Sequence, residues 1–480
     1  MSSPTKTEEQ VTEKKSLLDR YLAWFTRWMP ESFVICLALT VLVAVFAFIA
    51  TDAPVWSNDS ETTSVVSAWA DGFWSLLAFT MQMTVLLATG SAVASSPPAQ
   101  KLLTRIARIP NNRVQAILLG SISAALLGYL HWGLGMMAAI VLGKEILAQS
   151  RRKNYDLHPP VMIAALFMAF LPSSAGISGA AVLYSATPNY LRDMVPENYQ
   201  ESVPESVGLT ETVLRWDFIV LLVICSVVTI SFALFMHPKS KAKIETISDE
   251  FLEEIEAGAS GAEIPRETPA EKANASRWIM YFVGGIGLLY SIYNLVSNGV
   301  TGLNLDSFNF LFLTLGMVLT ANYGPEYYGK LIRDGIQGTW GFILQFPFYA
   351  GIFGIISLTG LGTVISGFFT SISTATTWPV IAFIYSGILN IAVPSGGSKF
   401  VIEAPYIIPT TVDLGADIGL VLQAYQMGDG ITNLLIPFFA LPYLANFKIK
   451  FSSVVGYTVP PVLVTFVITC IYMYVRASMV

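Results

Sequence analysis

Polar and apolar positions in this chain of 480 residues sort into long blocks rather than short alternations. Apolar runs of about twenty residues recur, the length a helix needs to cross roughly 30 Å of hydrocarbon. A membrane β-barrel would instead show short alternating segments, and the chain has no such pattern. The blocks predict nine crossing helices, at 32–51, 73–95, 160–182, 216–236, 278–297, 307–322, 338–365, 418–444 and 452–475. Two apolar segments remain, 114–149 and 379–411, each folded around glycines. Each arm of the second is about fifteen residues, or ~22 Å, short for a full span. Both read as re-entrant helical hairpins, acceptable only where the tip is buried in protein or lines a wet cavity.

The pattern repeats. Asp71-Gly72-Phe73-Trp74 and Gln337-Gly338-Thr339-Trp340 each open a long apolar run. A glycine-rich centre follows each: His131-Trp132-Gly133-Leu134-Gly135 and Pro394-Ser395-Gly396-Gly397-Ser398-Lys399. Next come apolar segments interrupted by small residues, Pro172-Ser173-Ser174-Ala175-Gly176 and Met427-Gly428-Asp429-Gly430. The expected fold class is an all-α polytopic membrane protein. It has two inverted repeats, each with a re-entrant helical hairpin and a broken transmembrane helix. The units are 1–237, a cytoplasmic linker at 238–277, and 278–480. Paired, interrupted hydrophobic segments at matching places point to a transporter's binding site.

Composition agrees, with 54% hydrophobic and 12% charged residues, against roughly 25% charged in an average soluble domain. The first 29 residues are polar, so no cleavable signal peptide is expected. Cys36, Cys225 and Cys470 fall inside apolar segments and suggest no disulfide framework. The net charge of -6 matters less than its sorting. With the N-terminus inside, basic clusters at Lys6–Arg27, Lys101–Arg113, Lys144–Lys153 and Lys239–Arg277 all lie on the cytoplasmic side. Outer loops carry Asp52, Asp59, Glu61, Asp71, Glu197, Glu201, Glu205 and Glu211. This positive-inside bias predicts a multi-pass inner-membrane protein with a cytoplasmic N-terminus. An odd number of crossings between the units makes the two hairpins enter from opposite sides, with tips expected near the midplane.

A carrier of small anions needs unpaired backbone N–H groups and helix N-termini for the anion. It needs carbonyls, hydroxyls or a carboxylate for a coupling cation. Trp132, Gly133, Gly135, Pro394, Ser395, Gly396, Gly397, Ser398 and Lys399 are the candidate substrate-binding residues. Ser173, Ser174, Asp429, Thr432 and Asn433 are candidates for the coupling ion, H+ or Na+. Lys399 and Glu403 are four apart, on one helix face, and can pair; the pair then serves either a substrate carboxylate or mutual neutralisation. Asp429 equally suits a helix cap at a kink. His158 and His237 lie at loop edges and read as incidental. No metalloprotease, phosphate-loop or paired-cysteine metal motif occurs, so no enzyme, cofactor or nucleic-acid partner is expected. The expected partners are a small organic anion and the lipid bilayer. A passive anion channel and a dicarboxylate carrier remain alternatives.

The stretches Asp71-Gly72-Phe73-Trp74, Ala186-Thr187-Pro188, Gln345-Phe346-Pro347-Phe348-Tyr349-Ala350-Gly351-Ile352, Ala392-Val393-Pro394-Ser395-Gly396-Gly397 and Leu414-Gly415-Ala416-Asp417 run in order over most of the chain. They are similar to those of the bacterial short-chain fatty acid transporter family. The resemblance implies cation-coupled transport of short monocarboxylates such as butyrate or acetoacetate. It also implies paired hairpins in an inverted repeat and a homodimer. The chain departs from the family pattern at Lys399 and Glu403, where the resemblance implies no such charged pair.

Overall fold

The structure, a computed structural model, describes residues 27, 30–59, 62–240, 244–257, 267–337 and 339–479. Lys6, Lys14, Lys15, Arg20, Glu61, Lys241, Lys243, Arg266 and Gly338, which enter the charge and repeat patterns, lie outside them. Every regular element among the described residues is helical. In chain order the principal helices are α1 Ser32–Ala50, α2 Leu77–Ser95, α3 Pro97–Ala107, α4 Arg113–Leu130, α5 Trp132–Arg152, α6 Pro159–Met168, α7 Phe170–Ser174 and α8 Ala180–Ser185. The second part holds α9 Trp216–Met236, α10 Arg277–Asn298, α11 Leu305–Thr320, α12 Trp340–Leu358, α13 Leu361–Ile372, α14 Trp378–Ala392, α15 Gly396–Asp413, α16 Ile418–Asn433, α17 Pro437–Phe447 and α18 Phe451–Ala477.

Seven described helices are long and apolar enough to cross a membrane, or nine if each of two bent pairs is one span. Side chains such as Ile49, Phe235 and Val296 are largely exposed on α1, α9 and α10, as lipid-facing helices require. The chain is a multi-pass membrane protein. The core sits on α15, whose residues from Gly397 to Thr411 are all buried. Around it pack α8, α12, α13, α14 and α16.

Local chemistry sets the breaks. Asn112 caps α4 by accepting from Gln115 N at 2.9 Å. His131 ends α4 and starts α5, its Nδ1 accepting from Gly133 N at 3.2 Å. The first hairpin therefore turns on a single residue, and its arms of 18 and 21 residues exceed the length expected for a short re-entrant loop. The predicted interruption near residue 175 is present: helix stops at Ser174 and resumes at Ala180.

Two expectations are corrected. The segment 338–365 is not one straight crossing, because α12 and α13 meet at 74°. Gly360, at φ +80, sits in the left-handed region at this joint, the conformation that ends helices and that glycine adopts without strain. The second helix break is also not at Met427–Gly430. Helix α16 runs unbroken to Asn433, and the 47° bend lies between it and Pro437, the first residue of α17. Proline disfavours helical backbone in the residue before it, so Ile436 is extended. The Gly428 position serves packing instead: a Cβ there would lie 2.7 Å from Phe383 O and 2.9 Å from Gly387 N on α14.

Candidate functional site

Among the described residues, the Asp, Glu, Lys and Arg side chains that are buried are Lys399, Glu403 and Asp429. Ionisable groups at membrane depth are costly and seldom incidental. All three converge on the first turns of α15.

Lys399 Nζ forms an ion pair with Asp429 Oδ1. It also donates to the Ser386 carbonyl at 2.9 Å and to the Ser386 hydroxyl. The Tyr425 ring covers it, with Nζ 4.2 Å from the ring centroid. Lys399 therefore does not pair with Glu403, as the four-residue spacing suggested. Tertiary neighbours from α14 and α16 outcompete the local partner. Neither carboxylate oxygen of Glu403 has a hydrogen-bond partner. Nearby, the Tyr385 and Tyr406 hydroxyls bond each other at 2.8 Å.

The start of α15 is open chemically. Pro394 separates the arms, and Ser395 N donates to Val393 O at 2.7 Å. No side chain caps the helix at Ser395, although the first N–H groups of any helix lack intrahelical partners. Ser398 Oγ and Tyr184 Oη are buried with no hydrogen-bond partner. The Gly397 position is tight: a Cβ there would be 3.2 Å from Phe79 Cζ and 3.3 Å from Tyr184 Oη. Gly396 faces Asp429, whose Oδ2 would be 2.7 Å from a Cβ on it, and its carbonyl accepts from Tyr425 Oη at 2.6 Å. Phe79 meets Tyr184 at 4.4 Å and stacks on Phe346 at 5.2 Å. A neutral, aromatic wall thus lies beside uncapped N–H groups and one buried cation.

Most of the predicted coupling residues also gather. Asn433 Nδ2 donates to Ser174 Oγ at 3.4 Å, and Asn390 Nδ2 donates to Asn433 Oδ1 at 2.6 Å and to Thr432 Oγ1 at 2.9 Å. Thr432 in turn donates to Gly428 O at 2.7 Å. Asn390 Nδ2 also donates to the Asp429 backbone carbonyl at 3.4 Å, so this polar network crossing α7, α14 and α16 reaches the Asp429 backbone rather than its carboxylate. Ser173 stands apart, donating to Ala169 O at 3.1 Å and facing Gly128.

Trp132, Gly133 and Gly135 lie at the other tip. Trp132 N donates to Ser178 Oγ at 2.8 Å. Gly135 lets α4 and α5 touch, since a Cβ on it would be 2.2 Å from Gly128 Cα. Gly133 rests on Leu87 of α2, whereas Gly397 rests on Phe79. Eight residues along α2 put the two tips at levels about 12 Å apart. The first interruption links them: Ser178 holds one tip and Ala180 touches the other.

Sequence reasoning did not single out Tyr184, Ser386, Asn390 or Tyr425. Aromatic and small polar residues within apolar blocks look like packing, and only the tertiary neighbours of Lys399 distinguish these.

The sequence pattern of the short chain fatty acid transporter family matches residues 15–476. A protein of Escherichia coli named "Putative short-chain fatty acid transporter" is 30% identical over 453 residues, 94% of this chain and 97% of its own length. One of the same name from Haemophilus influenzae is 28% identical over 462 residues, 96% of this chain and 99% of its own. Among solved structures, the YdaH transporter of Alcanivorax borkumensis superposes with a TM-score of 0.59 at 14% identity, covering 94% of this chain and 99% of that one. MtrF of Neisseria gonorrhoeae gives 0.50 at 15% identity, covering 95% and 97%. These two likenesses concern the fold.

Proposed function

The chain belongs to the short chain fatty acid transporter family, and from that premise we propose that it is a secondary carrier of short-chain monocarboxylates such as butyrate or acetoacetate. A cation, H+ or Na+, moves with them by alternating access, one inverted repeat moving against the other. The protein is a membrane transporter and not an enzyme. Positive-inside sorting supports a cytoplasmic N-terminus in the inner membrane, and a homodimer is the assembly we infer.

One observation carries the substrate reading: the buried cation Lys399 lies at the uncapped start of α15. The amides of Gly396, Gly397 and Ser398 carry the positive end of the helix dipole. Together with Lys399, Ser398 Oγ and Tyr184 Oη they suit one carboxylate. Phe79, Phe346 and Tyr184 suit a short acyl chain. A dicarboxylate would call for a second fixed cation, and Lys399 is the single buried Lys or Arg among the described residues.

Counterflow in proteoliposomes tests this reading. Labelled butyrate should accumulate transiently in vesicles preloaded with unlabelled butyrate, and acetoacetate should compete. Equal competition by succinate would favour the dicarboxylate carrier. Flux that neither saturates nor responds to preloading would mean a channel.

A further inference from the structure

The arrangement around Asp429 resembles a loaded binding site in which the anion is supplied by the protein itself. One oxygen of Asp429 forms an ion pair with Lys399, and the other faces Gly396 at the start of α15. That is the position an incoming carboxylate would need. Lys399 Nζ donates hydrogen bonds to the Ser386 carbonyl and hydroxyl, and its charge is paired with Asp429. The Tyr425 ring covers another face. While Asp429 stays in place, its carboxylate fills the side of the ammonium that a substrate carboxylate would need.

We propose that Asp429 is a tethered stand-in for the substrate carboxylate, displaced when it takes up a proton, so that each monocarboxylate binds with one H+ and no net charge. This rests on the reading of the α15 start as the monocarboxylate site, and it names the coupling ion that reading leaves open. The exchange balances. A proton from water goes to an Asp429 carboxylate oxygen, the Lys399–Asp429 pair opens, and the substrate carboxylate takes the place on Lys399. The site holds one ammonium and one carboxylate before and after.

Among the described residues, the elements packed on α16 bring these charged and titratable groups toward Asp429: Lys399, Glu403 and Tyr406 on α15, Tyr184 on α8, Tyr385 on α14 and Tyr472 on α18, with Tyr425 on α16 itself. Helix α7 adds no ionisable side chain; Arg476, near the end of α18, is tied to Asp217 at 2.8 Å. Glu403 has no hydrogen-bond partner at either oxygen and takes no part in the Lys399–Asp429 pair, so it lies outside the exchange.

Calorimetry on the purified full-length protein in detergent, titrated with butyrate in buffers of different ionisation enthalpy, counts the protons taken up. The expected count is about one per butyrate, with Kd rising about tenfold per pH unit once Asp429 is ionised in the free protein. Replacing Na+ by choline should leave Kd unchanged. Asp429→Asn should bring the count near zero and flatten the pH profile, while Glu403→Gln keeps the count near one. The wild-type pH profile decides the matter if Asp429→Asn does not fold. Butyrate binding without proton uptake, or binding that needs Na+, overturns this proposal alone. A wild type that binds no butyrate overturns the substrate reading and this proposal with it.

Discussion

Lys399 and Asp429 hold each other inside the bilayer, and each is costly alone. Removing one partner of a buried pair costs roughly 3–5 kcal/mol, whereas replacing both with apolar residues is often neutral. Lys399→Met should therefore lower the melting temperature sharply in detergent, and Lys399→Met with Asp429→Leu should recover most of it. Recovery of stability without recovery of butyrate binding is the expected outcome; a stable single variant would contradict the pairing. Tyr184 tests the other side of the site. Its hydroxyl has no partner to lose, so Tyr184→Phe should fold normally. Butyrate affinity should fall by about five- to tenfold, the worth of one hydrogen bond at roughly 1–1.5 kcal/mol; unchanged affinity would remove Tyr184 from the site. In the sequence, the ionisable residues at membrane depth stood out by cost alone. Their partnering did not. Spacing favours Lys399 with Glu403, but α14 and α16 approach from elsewhere in the chain and supply Ser386 and Asp429.

At the scale of elements, small residues decide how closely helices approach. Gly428 has its Cα against the α14 backbone, so Gly428→Ala should force α16 away and destabilise by roughly 1–3 kcal/mol, read as a lower melting temperature. Gly428→Ala at wild-type stability would show that α14 and α16 are not packed as described. The apolar blocks were legible because the length and composition of membrane helices are tightly constrained. The Gly428-Asp429-Gly430 run looked like a break because glycine lowers helix propensity. Here close packing is its use, and the chain turns later, where Pro437 enforces extended backbone. The bend at Gly360 was hidden because the small polar residues around it, Ser357, Thr359 and Thr363, do not break the apolar run in length or composition.

Across the whole molecule, the stretch between α9 and α10 is tied to the helices rather than loose along its described length. Helix Asp249–Ala257 follows a strap in which Glu245 N donates to His158 Nδ1 at 3.2 Å. Arg151 bonds Ile247 O and pairs with Asp249 at 2.6 Å, and Lys448 pairs with Glu254. Burial holds His158 below the ordinary imidazole range; Glu245 pulls it up and His237 adds to the lowering. The folded protein thus binds a proton at His158 less readily than the unfolded chain does. The contact is intact above the ordinary value near 6.5 and weakens as pH falls below it. A protonated imidazole also loses the acceptor that Glu245 uses. Limited proteolysis within 244–257 should be slow at pH 7.5 and faster at pH 5.5; equal rates would contradict the His158 anchor.

The most direct test of the account is equilibrium binding of labelled butyrate to purified, monodisperse protein, comparing the wild type with Lys399→Gln. The account predicts saturable binding to the wild type and a Kd at least about tenfold weaker in the variant, as loss of a charge-assisted contact requires. Equal affinity in the two proteins would place the carboxylate elsewhere and contradict the site at the start of α15.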